Sequence, residues 1–201
     1  MKNYNQVYAK IVLKQLNCIA KHLGQRLENR NFTIGRKDIK LIMEELIIKS
    51  SQFEYNDWIP DCCAGYGNDR SPELDIEGLP AETVTLAIIM DDLDHPIQPG
   101  FNHWVAWNIT PVNRIPCGLP QGAVVDEPIH IEQGIAYGRH CYRGPKPPFN
   151  WKHRYRFTVY ALSKKIQLNS ESKKNDLLNA MNDYVLAKGE LIGKYQRKHK
   201  K

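Results

Sequence analysis

No stretch of this 201-residue chain approaches the ~18 consecutive apolar residues of a membrane span. Between Met1 and Gly24 the apolar residues are interrupted by Lys2, Lys10, Lys14 and Lys21, so no apolar core of a secretory leader is present there. The five cysteines, Cys18, Cys62, Cys63, Cys117 and Cys141, are odd in number and show no CxxC spacing. Nothing near the adjacent Cys62–Cys63 pair supplies the second ligand pair of a zinc knuckle, so free thiols in a reducing, cytoplasmic setting are expected and no metal is. Gly-x-Ser-x-Gly, a phosphate loop and His-Glu-x-x-His are all missing, which removes the commonest local signatures of catalysis. Cys141 beside His140 is the residual candidate nucleophile, but neighbours on a strand point to opposite sides.

Charge of one sign is scarce where it would matter most. The formal charge of +6 and pI near 9.0 suggest nucleic acid at first sight. Residues 1–45 carry +5 and residues 171–201 carry +4, while residues 46–170 carry −3. A basic binding face needs its cations on the body of the fold, so no nucleic-acid partner is expected.

What the chain does have falls into three stretches. Tyr4, Tyr8, Ile11, Val12, Leu16, Ile19, Leu23 and Leu27 recur at helical spacing, opposite Lys10, Lys14, Lys21 and Gln25. This predicts an amphipathic helix packed on its own domain, with a membrane surface, a partner or self-association in a homodimer as alternatives. Asp38 through Leu46 predicts a second short helix, so residues 1–46 read as a helical extension to a domain at 47–201. Thr83–Met90, His103–Ile109 and Arg156–Leu162 are short and rich in β-branched and aromatic residues, and they predict strands of an antiparallel sheet or sandwich. Beyond Ser170, Leu177, Leu178, Met181, Val185 and Leu186 predict a helix capped by Ser170 or Ser172, and Glu190–Tyr195 predicts a last short helix after Gly189.

Chemistry concentrates between residues 92 and 155. Asp92 and Asp94 flank a turn, and Arg154 is the natural bidentate partner for one of them, with Asp94 better suited to a structural ion pair than to catalysis. His103 and His153 each open an aromatic strand beside a polar turn. One strand histidine alone usually packs and hydrogen-bonds within a core, but two such residues point to an anion site. Gly144–Pro148 precedes a strand directly and reads as a stiff wall whose amides are fixed in place.

The ordered set Ser71–Leu74, Met90–Pro96, His103–Ile109, Tyr142–Pro148, His153–Tyr155 and Glu190–Arg197 resembles the phosphatidylethanolamine-binding protein family, in its bacterial and archaeal Raf-kinase-inhibitor-like branch. The resemblance runs from about Ile47 to Arg197. It implies a mainly β Greek-key antiparallel sandwich with peripheral helices and one small anion pocket. That pocket takes phosphate-bearing groups, a phospholipid head group or a phosphorylated side chain. Matched position by position, Asp92, Pro96, His103, Lys146, Pro147, Pro148, His153 and Tyr155 line the pocket, Tyr195 comes to its rim from a C-terminal helix, and Asp94 and Arg154 form a supporting pair. Leu93 and His95 stand in a turn where the family has proline and alanine, and Ile135–Ala136 replace an Asn-Asp pair. The expectation is therefore a non-enzymatic binding protein without cofactor, able to act as a kinase or protease regulator and altered in selectivity. The rival expectation is a hydrolase built on the Asp and His side chains.

Overall fold

The computed structural model describes residues 44–197. In chain order these form β1 (Glu44–Glu45), β2 (Ile47–Lys49), β3 (Asp57–Trp58), a 3-10 turn (Asp61–Cys63), β4 (Leu74–Glu77), β5 (Thr85–Asp92), β6 (Phe101–Ile109), β7 (Arg114–Ile115), β8 (Val124–Val125), β9 (Ile131–Gln133), β10 (Lys152–Leu162), α1 (Lys174–Met181) and β11 (Val185–Gln196). The fold is mainly β. The larger sheet runs β1-β11-β10-β5-β6-β9-β8, with β3 also on β11, and the smaller runs β2-β4-β7. All pairings are antiparallel except those of β1 and β3 with β11, which are parallel. No helix among the described residues is long and apolar enough to cross a membrane.

Every residue of β5 is buried because both of its faces are covered. Leu86, Ile88 and Met90 join Trp104, Ala106, Phe157 and Val159 in one apolar core, while Ala87 and Ile89 join Val105, Trp107, Leu177 and Met181 in a second that α1 covers. Alternation along a strand divides the two sets, and each fully buried large side chain contributes roughly 1.5–3 kcal/mol.

Several sequence expectations change. The helix read over Asp38–Leu46 gives way, in its described part, to β1, whose backbone continues into the bond from the Leu46 amide to the Lys188 carbonyl at 2.9 Å. The first amphipathic helix lies outside the described residues. α1 ends at Met181, so Val185 and Leu186 belong to β11, and its cap is Lys173, whose amide donates to the Asp176 carboxylate at 2.8 Å in place of Ser170 or Ser172. The last short helix is the second half of β11, a twelve-residue strand laddered along β10 from Lys152 opposite Gln196 to Leu162 opposite Val185. Gly189 and Gly193 do not break it, because a side chain at either would strike Leu46 or Ile59, and bare backbone is what lets these neighbours close over the strand.

Candidate functional site

The ends of β5, β6 and β10 bring the chemistry together. Asp92 is the last residue of β5 and pairs with Tyr155 of β10. It is 2% exposed, and both carboxylate oxygens are engaged: Oδ1 accepts from the Asp94 amide at 2.9 Å, and Oδ2 lies 2.7 Å from His153 Nδ1. A carboxylate accepts only, so His153 Nδ1 carries the hydrogen of that bond. Asp94 faces outward and meets Arg154 in a fork, 2.7 Å to Nη2 and 2.9 Å to Nε, with the Arg154 amide adding a third bond at 2.8 Å. This guanidinium holds the Asp94 carboxyl below its usual range. The supporting pair of the sequence reading is thus formed, and Asp92 belongs to the histidine.

His103 arrives by a different device. Met90 faces Trp104, but Asp91 faces Asn102, so His103 is an extra residue in β6 with no partner on β5. Such a bulge re-aims side chains, and it lets the neighbours His103 and Trp104 both turn inward. His103 Nδ1 lies 2.8 Å from the Arg143 carbonyl, again an acceptor, and is therefore its donor. Burial lowers the proton affinity of His103, opposed by the Arg143 carbonyl and Asp92.

Tyr155 stands between the two imidazoles, its ring 5.3 Å from that of His103 and 6.4 Å from that of His153. Its hydroxyl is buried, close to the Asp92 carboxylate and the Lys146 backbone, and has no well-formed hydrogen bond among the described residues. Burial, then Asp92, drives its ionisation far above the ordinary tyrosine range, so it is a donor at every physiological pH. Among the described residues the Nε2 atoms of both histidines make no hydrogen bond. The site therefore sets two imidazoles on either side of one buried hydroxyl.

The wall is held from behind. Asp69 accepts from the Gly144 amide at 2.6 Å and pairs with Arg143 at 2.7 Å, the Gly65 amide donates to the Pro145 carbonyl at 2.9 Å, and the Tyr66 hydroxyl donates to the Pro147 carbonyl at 2.9 Å. Pro147 is buried, whereas Lys146 and Pro148 are exposed, with Lys146 Nζ 5.6 Å above the Tyr66 ring. Pro96 is exposed on the turn after His95. Tyr195 differs most from expectation. It lies on β11 opposite His153, not on a helix, and its hydroxyl donates to Asp61 at 3.0 Å; burial, and then this bond, push its ionisation up to about 12.

Sequence reasoning missed an aromatic mouth. Phe101 stacks on His95 at 4.7 Å and meets Tyr137 edge-on at 5.3 Å, and Trp151 stacks 6.3 Å from His153. Tyr137 and Phe149 both adopt left-handed backbone, φ 51° and 52°, a conformation costly for bulky residues and typical of sites that hold ligands. Cys141, the candidate nucleophile, is buried and its thiol is pushed up by that burial, which keeps it out of the reactive thiolate form. His140 spends Nδ1 on the Gln133 carbonyl at 3.0 Å.

A family model described as phosphatidylethanolamine-binding protein matches residues 49–196. A UPF0098 protein of Pyrococcus horikoshii is 44% identical over 158 residues, 77% of this chain and 79% of the relative. One of Archaeoglobus fulgidus is 37% identical over 79% of this chain and 53% of its own length. Among solved structures, a Chlamydia trachomatis protein described as a homologue of that same protein superposes with TM-score 0.68 at 31% identity, covering 77% of this chain and 99% of its own. Escherichia coli YbcL, described as a member of the mammalian PEBP family, does so with TM-score 0.68 at 26% identity, covering 77% and 100%.

Proposed function

The chain belongs to the phosphatidylethanolamine-binding protein family, and from that premise we propose that it is a non-enzymatic binding protein whose His103, His153 and Tyr155 cluster receives a phosphate-bearing ligand. The observation that carries the reading is the pinning of both Nδ1 atoms, to Asp92 and to the Arg143 carbonyl, on either side of an unpaired buried hydroxyl. A buried hydroxyl without a partner costs roughly 1–3 kcal/mol, which a bound oxygen returns. Exposed Lys146 adds positive charge at the mouth, and Phe101, Tyr137 and Trp151 shield the ligand from water.

The test is an amide NMR titration with phosphoethanolamine and with inorganic phosphate. Saturable shifts confined to residues 92–104 and 144–155, abolished in a His103→Ala, His153→Ala double variant, support the site. No shift at millimolar ligand rejects it.

A further inference from the structure

His103 turns inward only because β6 carries one residue too many opposite β5. In an even ladder neighbours alternate, so Trp104 on the core side would place His103 on the other. Sliding Phe101–His103 one place along β5 would close the bulge and carry His103 to the far face of the sheet. The bulge therefore needs something that holds it against the regular register.

Asn102 is built into that gap. Its side-chain Nδ2 donates to the Met90 carbonyl of β5 at 3.0 Å and to the Trp104 carbonyl of β6 at 2.9 Å, one on each strand, and lies 3.2 Å from Asp91 Oδ1. Two hydrogens serve three acceptors, so one of them is shared. All three neighbours only accept, which fixes the amide with its nitrogen toward the bulge. Its Oδ1 is left buried with no partner among the described residues, a standing cost that the donated bonds offset.

The amide is supported in turn. Asp91 is 5% exposed, and its Oδ1 also accepts from Nζ of Lys174, the first residue of α1, at 3.0 Å. The same ammonium donates to the Gly100 carbonyl at 2.7 Å, just ahead of β6, and Arg156 Nη2 stands 3.8 Å from Asp91 Oδ2. Asp91 and Asp92 are neighbours on β5 and point to opposite faces. This support thus reaches the bulge from the side of the sheet away from His153.

We propose that Asn102 is the positioning residue of His103, its amide clamping the β6 bulge so that the imidazole is delivered to the Arg143 carbonyl. The clamp belongs to the ligand-free protein, and only its consequence for binding rests on the anion-site reading above.

Nitrogen NMR of the two imidazoles in the ligand-free protein at pH 8 tests this, because a neutral ring reports its tautomer. In the unaltered protein both rings are expected to carry their hydrogen on Nδ1. In Asn102→Ala, about half or more of His103 is expected to shift to the Nε2–H form, while His153 keeps its Nδ1–H. Asn102→Ser, whose hydroxyl restores one donor, is expected to fall between the two and supplies the reading if the alanine variant does not fold. Phosphoethanolamine affinity is expected to drop about tenfold in Asn102→Ala. A His103 ring unchanged in the folded variants, or both rings altered together, would overturn the clamp and leave Asn102 a general support of the sheet. The expected tautomer shift, with no phosphoethanolamine binding to the unaltered protein, would uphold the clamp and overturn the anion site.

Discussion

Asp92 and His153 are joined by an oxygen–nitrogen contact of 2.7 Å between side chains only 3% and 4% exposed, the most buried carboxylate–imidazole contact among the described residues. The pair spans β5 and β10 two residues from the register Asp92 opposite Tyr155, and it sets the direction of the His153 ring. A pair this deep is held by geometry, since removing either partner leaves the other's polar atom buried and unpaired.

Replacing Asp92 by Asn keeps the shape and removes the charge. The unfolding free energy in urea is expected to fall by about 1–3 kcal/mol, the range for a charge-assisted buried bond. The nitrogen resonances of His153 are expected to show mixed tautomers, and phosphoethanolamine affinity is expected to drop about tenfold with the lost orientation. Unchanged His153 resonances would mean the ring is fixed by packing alone.

Stability should fall in mild acid because of His103. Its folded proton affinity is lowered from the ordinary 6.5, so below about pH 6.5 the unfolded chain binds a proton that the folded chain does not. Stability is therefore complete above that pH and is lost progressively as pH drops toward the folded value. His103→Gln is expected to flatten this limb of a urea-midpoint profile between pH 7 and 5. An identical slope in the variant would assign the limb to another group.

Gly144 is the tightest point of the proline wall. A Cβ there would strike the Cys63 carbonyl oxygen and lie 2.9 Å from Asp69 Oδ1. Gly144→Ala is expected to cost about 1–3 kcal/mol by overpacking and to weaken anion binding as the wall shifts. Thermal unfolding and titration of the same sample separate the two effects.

The described thiols should divide by burial. Cys62 and Cys117 are exposed, whereas Cys63 and Cys141 are buried, and burial with neighbouring Cys62 pushes the Cys63 thiol up to about 12. Alkylation at pH 8 with peptide mapping is expected to mark Cys62 and Cys117 in the native protein and the other two only in denaturant. Early labelling of Cys63 would show that the turn at Asp61–Cys63 opens.

The central strands were legible because β5, β6 and β10 are runs of apolar β-branched and aromatic residues bounded by turns. β11 was not, although its burial alternates between Ala187 inside, Lys188 outside and Glu190 outside. Two of its inward places are Gly189 and Gly193, which read as breakers until Leu46 and Ile59 are seen lying over them. Within the site, Asp92, Asp94, His103, His153, Arg154 and Tyr155 could be found from residue type and order. The bulge that aims His103 could not, since it arises from pairing with β5, and the mouth aromatics Tyr137 and Trp151 sit on irregular segments without periodicity.

The parallel pairing of β1 with β11 has a bearing on where the chain can be cut. Glu44 and Glu45 sit beside Ala187 and Lys188, and Leu46 bonds the Lys188 carbonyl. A truncation that starts at Ile47 strips this cover from the rim of the larger sheet. The bared backbone would offer a second molecule a ready template for strand addition. The backbone of Glu44 and Glu45 thus occupies a stretch of the β11 edge that would otherwise lie open.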